Sequence, residues 1–199
     1  MRQGKMEEAQ TEFVEAVVAE PYARQSWVGL KQWADANKIQ AGHPDIKAPQ
    51  RPKESGKKED PLTIVFDINS FGDKGKKDGT AAWFMYQLTE GVWKTTLFKK
   101  NYPDEKEYRH SLAEETAGLS MVATRTDEGL KKGELKSENL DSGIATLLKL
   151  YKAEMLEPFI LLSRPDAGIA QDYAAYREKN RDKLRQYLRD FVVPKDRKP

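Results

Sequence analysis

GKMEEAQTEFVEAVVAEPYARQSWVGL, residues 4–30, is the stretch whose spacing decides how this chain is built. Gly4 leads to Ala9, Phe13, Ala16 and Pro21 at intervals that put small and aromatic side chains along one helix. Small residues so placed let a neighbouring helix approach closely, and the larger side chains fill the gaps between. Pro21 ends the helix, because it has no N–H to donate and it drives Glu20 out of helical conformation. Beyond that stop, Trp27, Leu30 and Ala34 share one face of a second helix. The expected helices are 5–20, with Ala9, Phe13, Ala16 and Val17 on one face, and 24–39.

This series of anchors resembles the second helix of a tetratricopeptide (TPR) repeat running into the first helix of its successor. The resemblance covers residues 4–37. It departs at Lys31, where a small residue is usual, and at Ala34, where Tyr is usual. No second helix of the same pattern follows Asn37, so the match amounts to one helix from each of two repeats. The resemblance implies an antiparallel helical hairpin and a non-catalytic protein-interaction or scaffold role, with a protein or peptide as partner. Two helices cannot form a concave groove by themselves. The hairpin is therefore expected to dock on its own bundle or to self-associate through its open face, with Phe13, Trp27 and Leu30 as the buried contacts.

The chain has 199 residues, of which 33% are charged and 38% hydrophobic. Its mean hydropathy of -0.79 suits long amphipathic helices with charged outer faces. With 34 basic and 32 acidic side chains the net charge is +2, so no global field draws it to nucleic acid or acidic lipid. The longest apolar runs, 81–86 and 159–162, are far shorter than the roughly 20 residues that cross a bilayer. A soluble protein is expected. The absence of cysteine removes disulfides, thiol chemistry and thiolate-bound zinc, and it suits a reducing, cytoplasmic compartment.

Residues 43–61 carry Pro44, Pro49, Pro52 and Pro61 among five basic side chains and read as an extended linker. Leu62–Ile68 has the composition of one short strand. Helices follow. Residues 81–98 are apolar around most of the helix girth and form the expected central core element. Pro103 and Asp104 are expected to open a long helix striped by Tyr108, Leu112, Leu119, Val122, Thr126 and Leu130. Leu140 to Leu162 keeps helical spacing past Pro158, which predicts a helix kinked there. Asp166 is placed to cap the last helix, whose stripe is interrupted at Asn180. The fold expected is mainly α, with at most one short strand: a TPR-like hairpin over 1–42, a Pro/Lys-rich linker over 43–61 and a helical bundle domain over 62–199.

Glu107, His110 and Glu114 contain the Glu-x-x-His spacing of dimetal sites in four-helix bundles. They are the residues a metal-binding or enzymatic bundle would use. At about 100° per residue all three point roughly 140–160° away from Leu112, so a solvated charge ladder is expected instead. Glu115 falls about 60° from Leu112, beside the core stripe, and reads as a snorkelling boundary residue or as a buried carboxylate paired to Lys or Arg. Asp67, Asn69, Gly72, Asp73 and Asp78 partly match a calcium loop, but Phe71 stands where an oxygen ligand belongs and Asp78 where Glu does. Gly72, Gly75 and Gly79 among Lys74, Lys76 and Lys77 lack the spacing and the Ser or Thr of a phosphate loop. The basic linker lacks interleaved aromatics, so nucleic acid is not an expected partner. No catalytic, cofactor or metal residue is assigned from the sequence.

Overall fold

The computed structural model describes residues 2–49 and 77–194. Among these the chain is helical, with turns and irregular connections and no strand. The expected strand at 62–68 and most of the expected linker lie outside the described residues. The molecule divides into two compact units, one formed by 1–44 with 158–199 and the other by 45–157. This division differs from the expected one, because the hairpin shares its unit with the C-terminal segment.

The first unit begins with α1 (Arg2–Ala19) and α2 (Arg24–Ala36), joined by a tight turn at Pro21. The Trp27 indole N–H donates to the Pro21 carbonyl at 2.6 Å, which ties the start of α2 to the turn. Lys38, with φ 56°, stops α2: Ile39 N–H reaches back to Ala34 O and Lys38 N–H to Asp35 O. Ile39 turns inward after that stop and is buried. The unit also holds most of α7 (Leu156–Ser163) and then α8 (Tyr173–Tyr187), which continues into a π-helical turn, Leu188–Val192. Asp166 Oδ1 accepts from Gly168 N and Ile169 N at 2.9 and 2.8 Å, the cap expected before the last helix. Asn180 has non-helical φ −129° and ψ 30°, which matches the interrupted stripe.

In the second unit α3 (Trp83–Val92) runs through a π-helical turn, Trp93–Leu97, into the short α4 (Phe98–Asn101). It packs on α5 (Leu112–Lys131), which in turn packs on α6 (Ser142–Lys152). Gly118 makes the α3–α5 approach possible, since a Cβ there would lie 2.8 Å from the Tyr86 ring. Trp83, Tyr86, Trp93 and Phe98 are buried, while Val92 is half exposed, so the expected central element keeps one wet side.

Two expectations are corrected. The helix expected from Pro103 starts only at Leu112, because Ser111 is its N-cap and its Oγ accepts from Glu114 N at 3.2 Å. The single helix kinked at Pro158 is instead two helices. Glu154 adopts φ 57°, and Met155 N–H bonds Leu150 O, which ends α6 before Pro158. Pro158 lies in the first turn of α7, where its missing N–H leaves no hydrogen bond unmade.

Candidate functional site

α1 presents three different flanks. Val14, Val17 and Val18 are fully buried and Gln10 nearly so, and these form its core side. A second flank meets α8, whose arginines recur every fourth residue. Arg177 donates to Ala19 O at 2.5 Å, Arg181 to Glu15 at 3.0 Å, Arg185 to both Glu15 oxygens, and Arg189 to Thr11 Oγ1 at 3.3 Å. The Tyr173 hydroxyl donates to Val18 O at 2.7 Å. The Arg185 hydrogen bond holds the Glu15 carboxyl below the usual carboxylate range. Arg177 also satisfies a carbonyl at the negative end of α1.

The third flank is only partly covered. Met6 is 41% exposed, Ala16 is exposed, and Ala9 and Phe13 are half-buried. At helical spacing these four form one stripe of alternating large and small side chains. Phe13 lies over Gly29 of α2, where a Cβ would approach its ring to 2.9 Å. Ala9 and Ala16 therefore face outward more than the expected packing implied, and the valines carry the interior contact. Of the residues expected as hairpin contacts, Leu30 is 1% exposed, whereas Phe13 and Trp27 are only half-buried.

His43, read from the sequence as linker, is part of the first unit. Its Nδ1 lies 2.9 Å from the Tyr187 hydroxyl, and its ring meets Trp27 edge-on and stacks with Tyr187. Burial pushes its pKa down to about 4. Tyr22 is pushed up to about 12 by burial and then by the Asp172 charge, and burial also raises Tyr173.

The second unit holds two buried carboxylates at the start of α5. Glu114 and Glu115 are 1% and 2% exposed. The Tyr108 hydroxyl donates to both Glu114 oxygens at 2.8 and 3.0 Å. The Tyr86 hydroxyl donates to Glu115 Oε2 at 2.5 Å, and His110 Nε2 lies 3.3 Å from the same oxygen. Glu107 is exposed and, like His110, precedes the helix. The expected outward ladder of Glu107, His110 and Glu114 is thus corrected: Glu114 and Glu115 turn inward, and His110 pairs with Glu115. Hydroxyl donors and the positive end of α5 meet these carboxylates within the unit. The missed signal was Ser111-Leu-Ala-Glu114, the Ser-x-x-Glu spacing that marks a helix start. Among the described residues no three His, Asp or Glu side chains gather in a geometry that would hold a metal ion.

Asp67, Asn69, Gly72 and Asp73 of the calcium-like stretch, and Gly75 with Lys74 and Lys76, lie outside the described residues. Asp78 Oδ1 is engaged by the backbone N–H and hydroxyl of Thr80 at 3.0 and 2.7 Å. No described helix is long and apolar enough to cross a membrane. The chain matches no known family model, no curated protein and no solved structure.

Proposed function

We propose that this chain is a non-catalytic protein-interaction or scaffold protein of TPR-like type, with the α1–α2 hairpin as the element that meets a protein or peptide partner. The stripe of Met6, Ala9, Phe13 and Ala16 carries this reading: it has the alternation of a helix-packing face, and Met6 and Ala16 are left at the surface. The other flank of α1 supports it, since there the same helix already takes a neighbouring helix, α8, along much of its length. A cytoplasmic location belongs to the same proposal and is supported by the lack of cysteine.

A photo-crosslinking residue placed at position 16 tests the reading in cells that express the chain. Discrete adducts with another polypeptide are expected from position 16 and not from the exposed Ala145 on α6. Equal labelling from both positions, or none from position 16, would sink it.

A further inference from the structure

We draw no further inference here: the strongest candidate, the buried side-chain cluster of Glu114, Glu115 and His110 at the start of α5, is a pair of acidic residues at a helix N-terminus with nothing among the described residues that points to a ligand there.

Discussion

His43 belongs to no motif in the sequence, yet its ring is held between Trp27 and Tyr187. Its folded pKa of about 4 lies below the ordinary value of 6.5, so between these values the unfolded chain binds the extra proton and the folded chain does not. Its contribution to stability is therefore fully present above pH 6.5 and is lost as the pH falls toward 4. The loss should be at most about 3 kcal/mol, at 1.36 kcal/mol per pKa unit. Urea denaturation across this window should show the decline, and a His43→Gln variant should flatten it. A second prediction concerns Gly118. Alanine there would gain helix propensity but press on the Tyr86 ring, which Glu115 and Trp83 hold in place. Gly118→Ala should destabilise by about 1–2 kcal/mol in urea titration. Neither effect was legible in the sequence, because each depends on a contact between residues remote along the chain. The Phe13, Trp27 and Leu30 set was legible as hairpin residues, but the sequence did not reveal which of them stay partly exposed.

Helix existence read well from hydrophobic period and poorly at the ends. α1 and α2 fall where the anchors placed them, because Pro21 is an unambiguous stop. The end of α6 was invisible, since the left-handed residue that terminates it is Glu154 and not glycine. Apolar spacing continues across that turn for a physical reason: Met155 packs inward just after the stop and is 2% exposed. Lys38 ends α2 in the same way at φ 56°. Replacing it by glycine removes a Cβ from a conformation it disfavours, so Lys38→Gly should raise stability by about 0.5–1 kcal/mol in thermal or chemical denaturation. α5 starts nine residues beyond Pro103, because the Ser111–Glu114 cap and not the acidic run after Pro103 opens the helix. The candidate site shifts with that start. Glu114 still lies opposite Leu112 on α5 and is buried because Tyr108 of the preceding segment covers it, while a helix beginning at Leu112 leaves Glu107 and His110 on irregular backbone.

At the scale of the molecule, the first unit is discontinuous in sequence, and α1 gains its second flank only when α8 returns to it. A peptide of residues 1–44 lacks that cover, and short helices without tertiary support are marginal in water. It is expected to show little helix and no cooperative melting by far-UV circular dichroism; a sharp transition would show that the hairpin stands alone. The sequence by itself determined the helical class, the two N-terminal helices with their proline stop, the Asp166 cap and the break at Asn180. Each of these is a property of a few neighbouring residues. Tertiary structure alone decided that the arginine stripe of α8 reads Glu15, that Glu114 and Glu115 turn inward, that His43 enters an aromatic cluster, and that Ala9 and Ala16 mark a partly covered flank. Which side of a helix is covered depends on segments more than a hundred residues away, and local spacing carries no record of them.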